Sequence, residues 1–180
     1  MLMDANLRLS AAQAVTATAV STNTIDLLQG LALASSGGTY TVPPAQIIGN
    51  ATYFGEDLGI GKHMGTPRFV FTSGAGTPGA ATSLVIGIAG APDNGGGTIA
   101  GLTFVTYIQT RAIPLASILA NSRLASIDFP KREVGQPLPR FIQAAYTVAG
   151  SNFTGLTINA DLTHGPDDAV DTLSKYAANF

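Results

Sequence analysis

From Arg140 to Leu162 the chain reads RFIQAAYTVAGSNFTGLTINADL, and its alternation restricts the fold more than any other stretch. Ile142, Ala144, Tyr146 and Val148 fall on one side of an extended chain, and Gln143, Ala145 and Thr147 on the other. Further on, Leu156, Ile158, Ala160 and Leu162 alternate with Thr157, Asn159 and Asp161. A period of two is the mark of a strand with one dry face and one wet face. Between the two runs, Ala149-Gly150-Ser151-Asn152 supplies residues that tolerate positive φ. The segment therefore reads as a hairpin, with Thr154-Gly155 as a bulge opening the return strand. An isolated hairpin is marginal in water. A buried Leu, Ile or Val offers about 1.5–3 kcal/mol, while fixing the backbone costs roughly 1–2 kcal/mol per residue. The apolar face requires a second layer over it.

The rest of the chain supplies more strands. Ala11 to Leu28 is rich in Thr and Val and reads as strand, its early alanines leaving a helix open, with Ser21-Thr22-Asn23 as a break before a short strand at Thr24–Leu27. Arg68–Ser73 (RFVFTS) is a strand followed by a turn at Gly74–Pro78. Ser83–Ala89 places Leu84, Ile86 and Ile88 on one face, and Ala91–Thr98 (APDNGGGT) is a flexible hairpin loop. Thr103–Thr110 is a strand whose facing the pattern does not fix. Arg111–Asn121 is a short strand, a single helical turn or both around Pro114, and Arg123–Phe129 is a strand. An exposed connection with Pro130, Pro137 and Pro139 leads into the opening segment. About eight strands separated by turn signals predict an all-β antiparallel sandwich or barrel.

Three stretches depart from that pattern. Residues 1–10 read as an extended arm. Residues 29–56, broken by Gly37-Gly38, Pro43-Pro44 and Gly49-Asn50, read as a long loop insertion with an edge strand at Thr39–Val42. Loops of this length are often functional, so partner contacts are expected there first. In residues 164–180, Pro166-Asp167-Asp168 resembles a helix start, and Val170, Leu173 and Tyr176 follow at helical spacing. A short C-terminal helix or a tail is expected. The whole, residues 1–180, reads as one sandwich domain.

Composition narrows the function. Hydrophobic residues make up 46% of the 180, which excludes disorder. Only 11% are Asp, Glu, Lys or Arg, and net charge is −2, against about 25% charged residues in ordinary soluble domains. The surface must be built from Thr, Ser, Asn, Gly and Ala. Such a surface repels its copies weakly, and interface cores are likewise poor in charge. This points to an assembly subunit, with a bland secreted sandwich as the other reading. No basic patch marks nucleic-acid binding. The chain has no cysteine, which removes disulfides, thiol nucleophiles and Cys-based zinc sites. Asp4, Asn6 and Arg8 interrupt the N-terminal segment, so no secretory signal is read, and no apolar run approaches the ~20 residues a membrane helix needs. A soluble protein made in the cytoplasm is expected.

No catalytic, cofactor-binding or metal-binding residue emerges. The two histidines, His63 and His164, lack a G-x-S-x-G serine. His63 follows Glu56 and Asp57, but at no His–metal spacing, and reads as a loop histidine. His164 to Asp168 reads as a strand-end turn and a helix cap. Asp93-Asn94-Gly95 lacks the alternating acids and closing Glu of a calcium loop. Gly95-Gly96-Gly97 lacks the Lys-Ser/Thr of a phosphate loop. Arg123, Lys131, Arg132 and Arg140 form either a local basic spot or a solvated turn. No enzyme is expected.

Taken together, SAAQAVTATAVSTNTIDL, EDLGIGK, AIPLASILANSRL and PRFIQAAYTVAGSNFTGLTINADL resemble, in this order, the capsid cement proteins of tailed bacteriophages typified by the Bordetella phage cement protein. The resemblance is carried by Asp57-Leu58-Gly59-Ile60-Gly61, by Ile113-Pro114 with Leu115 and Leu119, and by Tyr146, Val148, Gly150, Phe153, Thr154 and Gly155. It covers most of the chain. The sequence departs from the family at residues 29–56, which are longer than the usual link. Asn121 stands where glycine is typical, and Asn tolerates the same left-handed backbone. The resemblance implies a jelly-roll-like structural protein on the capsid exterior of the virion, decorating the head and tying capsomers together. Its partners would be the major capsid protein and its own copies, as a dimer or trimer, without cofactor, nucleic acid or membrane. The alternative is a ligand-recognition sandwich, a receptor- or carbohydrate-binding module of a tail or secreted protein.

Overall fold

The computed structural model describes residues 8–26, 32–35, 38–41, 45–48, 51–53, 68–76, 78–92, 99–128 and 139–163. In chain order the strands are β1 (Arg8–Ala14), β2 (Ala19–Val20), β3 (Ile25–Asp26), β4 (Ala32–Ser35), β5 (Gly38–Thr41), β6 (Ala45–Ile48) and β7 (Ala51–Tyr53). They continue with β8 (Arg68–Ser73), β9 (Gly79–Ala91), β10 (Val105–Gln109), β11 (Ile113–Pro114), β12 (Arg123–Asp128), β13 (Phe141–Thr154) and β14 (Thr157–Thr163). A 3-10 turn, Leu115–Ser117, follows β11, so the stretch around Pro114 is both short strand and helical turn.

Two antiparallel sheets pack face to face. One has the order β1-β14-β8-β12. The other has the order β10-β9-β13-β2, with β11 extending along β9 and β3 along β13. If β2/β3 and β10/β11 are each taken as one interrupted strand, the sandwich has eight positions. In chain order, positions one, eight, three and six form the first sheet, and two, seven, four and five the second. That interleaving is the jelly roll. The strands beyond the expected eight come from the two split positions and from β4–β7, inserted between β3 and β8.

The alternation of the sequence builds the core. Leu84, Ile86 and Ile88 of β9 and Ile142, Ala144 and Tyr146 of β13 are buried against Leu9, Phe69, Phe71, Ile158, Ala160 and Leu162 of the facing sheet. Phe71 meets Tyr146 edge-on across the sandwich, ring centroids 6.4 Å apart, a favoured aromatic geometry. The Tyr146 hydroxyl is not wasted in this apolar layer, since it bonds the Ser10 hydroxyl of β1 at 2.8 Å. The outer faces are drier than alternation alone implies. Gln143 and Asp161 are buried, and Asp161 is held there by Arg8 Nε at 2.7 Å.

Several expectations need correction. The two runs of Arg140–Leu162 do not form a hairpin: β13 pairs with β9 and β14 with β1 and β8, in different sheets. The chain stays in β13 through Ala149–Thr154 and turns the sandwich corner at Gly155. Gly150 (φ +78°) sits at a register shift against β9, and Gly155 (φ +78°) makes the turn, the reverse of the expected roles. Residues 8–10 are not arm but the start of β1, where Leu9 and Ser10 are fully buried. Ala11–Ala14 continue that strand, in keeping with the strand reading of this stretch. Residues 29–56 are not all loop: β4 pairs with β5 and β6 with β7, as two hairpins. Thr103–Thr110 supplies the edge strand β10, with Val105 and Ile108 facing solvent. The C-terminal helix expected in 164–180 lies outside the described residues, as do residues 1–7.

Candidate functional site

The jelly roll has two unlike ends, and sequence dictates the difference. No Asp, Glu, Lys, Arg or His occurs in residues 9–25, 69–92, 112–122 or 141–160. The strands bring the middles of these four segments to one tip. There the β1–β2 connection, the β8–β9 turn, the 3-10 turn with residues 118–122, and the β13–β14 corner meet. Arg8, Asp26, Arg68, Asp128, Arg140 and Asp161 sit toward the opposite end by register. Arg111 and Arg123 flank the tip segment 112–122 on either side in sequence.

Backbone hydrogen bonds sew the tip together. Val15 N–H donates to Leu156 O at 3.0 Å, and Phe153 N–H to Thr16 O at 2.7 Å. Gly74 N–H donates to Thr157 O and Asn121 N–H to Gly74 O, both at 2.9 Å. Phe153, near the end of β13, is buried and anchors the corner in the core. Gly76 lies so close to the corner that an added Cβ would stand 2.0 Å from Gly155 O. The exposed surface of this scaffold is small and neutral, with Ala17, Ala75, Ser117, Ser151 and Asn152 among its residues.

The tip also concentrates unusual backbone. Ala80 (φ 69°) and Asn121 (φ 52°) are left-handed there, and Ala12 (φ 45°) lies in the same uncharged half. Asn121 thus keeps the turn that glycine would make, as the sequence implied. Alanine in this region carries strain of about 1–2 kcal/mol, and such strain gathers at functional surfaces.

The other candidates fare differently. An open groove of about 410 Å³ runs between the edge strands β10 and β12. Its ionisable residues, Arg68 and Asp128, pair with each other at 2.5 Å, so no acid or base is held ready in it. Arg123 begins β12 opposite Thr72, toward the tip, whereas Arg140 precedes β13 at the opposite end and stacks on Phe141 at 4.8 Å. These two members of the expected basic spot are therefore apart. Lys131 and Arg132 lie outside the described residues, as do His63, His164, Glu56, Asp57, the Asp57–Gly61 motif and Asp93–Gly97. Among the described residues no three His, Cys, Asp or Glu gather to hold a metal ion, and no helix is long and apolar enough to cross a membrane.

Sequence reading noticed the scarcity of charge but not its location. The signal was present as four uncharged runs, which only the jelly-roll order brings together. A scan against protein-family models gives no match to the chain, and a search of curated proteins gives none either.

Proposed function

We propose that the chain is a structural cement subunit that decorates a phage head, docking its uncharged tip on the major capsid protein. The single observation that supports this most is the sorting of charge, which leaves the four loops at one end of the jelly roll without an ionisable group, Arg123 standing beside them at the start of β12. A surface of this kind carries little desolvation cost when covered, because no ion must leave water. Tying subunits together takes a second contact, and the hairpins β4–β5 and β6–β7, inserted at the opposite end, are its candidate. Two modest contacts on one chain then reinforce each other through effective concentration. No catalysis or cofactor enters this role. The same bland surface supports self-association, as a dimer or trimer.

The glycan-recognition alternative asks for an exposed aromatic platform. Among the described residues of the sandwich, Phe69, Phe71, Phe141, Tyr146 and Phe153 are buried and Phe104 and Tyr107 half-buried, which favours the cement reading. The test is to mix the purified protein with expanded and unexpanded heads built from the capsid protein encoded with it. Ordered extra density in cryo-electron microscopy is the expected result, and bare heads at saturating protein would remove the reading.

A further inference from the structure

Leu119 is the most exposed large apolar side chain among the described residues, at 63%. One solvent-facing leucine is ordinary by itself. What sets this one apart is how firmly its backbone is held. On one side, Ile118 is buried and its N–H bonds Leu115 O at 3.0 Å. The Leu119 carbonyl receives two hydroxyls, Ser73 Oγ at 2.5 Å and Ser122 Oγ at 2.7 Å. Ser73 is buried and accepts the Ser122 N–H at 2.9 Å as well. On the other side, left-handed Asn121 is tied to Gly74. A buried serine of a central strand therefore serves to fix the peptide that displays a leucine to solvent.

We propose that Leu119 is the anchor of the tip, a preset plug that enters an uncharged, aliphatic-lined pocket of the capsid subunit; this rests on the cement reading above. With the peptide already held in place, docking orders the leucine side chain and little of its backbone. The chemistry of the pocket follows from the tip's lack of charge. Residues 112–122 hold no ionisable group, so an ionised partner group covering Leu119 would find no counter-ion in that loop, which is costly. The small exposed residues Ser117 and Ala120 beside Leu119 in sequence, and Ala75 on the turn that Asn121 bonds through Gly74, let the partner surface approach closely and exclude water around the plug.

The test compares head binding of the parent chain with Leu119→Ala, Leu119→Asp and a control, Val105→Asp, on the exposed β10 edge at the opposite end. Both sites are exposed, so the folding of all three variants is checked by unchanged thermal midpoints. Leu119→Ala is expected to weaken binding roughly tenfold or more, as truncating an interface anchor does. Leu119→Asp should abolish saturable occupancy, and Val105→Asp should leave it within about twofold of the parent. Full binding by Leu119→Asp overturns the anchor while the cement reading stands. Loss of self-association by Leu119→Asp with head binding kept assigns the plug to a second copy and also overturns it. A parent chain that leaves heads bare removes the cement reading and the anchor with it.

Discussion

Tyr146 is the residue where apolar packing and polar linkage meet. Its ring fills the centre of the sandwich and its hydroxyl joins the two sheets through Ser10, which in turn bonds Gln13 Oε1 at 2.7 Å. Burial raises its pKa to about 12, partly opposed by the Ser10 hydrogen bond and supplemented by the charge of Asp161. The unfolded chain ionises this tyrosine near pH 10, so above that pH the unfolded state releases a proton that the native state retains. Stability from this group is complete below pH 10 and is lost as pH climbs through about 12. The expected fall is about 3 kcal/mol. Denaturant titrations from pH 8 to the alkaline limit should show it, and Tyr146→Phe should flatten the slope while costing about 1 kcal/mol at neutral pH. A second residue-level prediction concerns Ala80, exposed and left-handed at φ 69°. Ala80→Gly relieves the strain but loosens the unfolded chain, for a net gain of about 0.5–1 kcal/mol in the same titration.

At the scale of elements, the hairpins β4–β5 and β6–β7 are an insertion and not a layer of the sandwich: each is paired only internally among the described residues. Replacing residues 32–53 with a short Gly/Ser link should therefore leave the jelly roll folded. The thermal midpoint should move by less than about 3 °C, equivalent to about 1 kcal/mol, while head occupancy falls. Normal occupancy of the shortened chain would remove these hairpins from the mechanism. How well each element could be foreseen follows from what alternation encodes. β8 begins and ends where its residues predict, because Phe69 and Phe71 alternate cleanly between turn signals. The faces of β9 and β13 were equally plain. Partnership was not, because an alternating strand declares which side is dry but not which strand lies beside it. Gly150 and Gly155 are both glycines with positive φ, and nothing local separates a bulge from a corner; pairing with β9 as far as Thr154 decides it. Leu9 was missed because one apolar residue beside polar neighbours makes no period. Leu119 was visible only as part of an aliphatic patch, since its exposure depends on Ser73, distant in sequence.

For the whole molecule, the decisive property is the gradient of charge along the sandwich. Among the described residues of the opposite end, Arg8 pairs with Asp161 and Arg68 with Asp128. The four tip loops hold no ionisable group, Arg123 lying beside them at the start of β12. An interface formed there contains no ion pair for salt to screen, whereas one formed by charged loops weakens as the Debye length shrinks from about 10 Å at 0.1 M salt to about 3 Å at 1 M. The two geometries of attachment thus predict opposite salt responses. With the tip as the main contact, affinity for heads should change by less than about threefold between roughly 0.05 and 0.5 M sodium chloride. Placing a lysine at the tip, as in Ala75→Lys, should weaken binding at every salt concentration, because the new ion must be desolvated without a partner. A steep loss of parental binding with salt, rescued at low ionic strength, would transfer attachment to the charged end. The tip would then be an outward-facing surface, and the hairpins inserted between β3 and β8 would become the contact that holds the subunit to the shell.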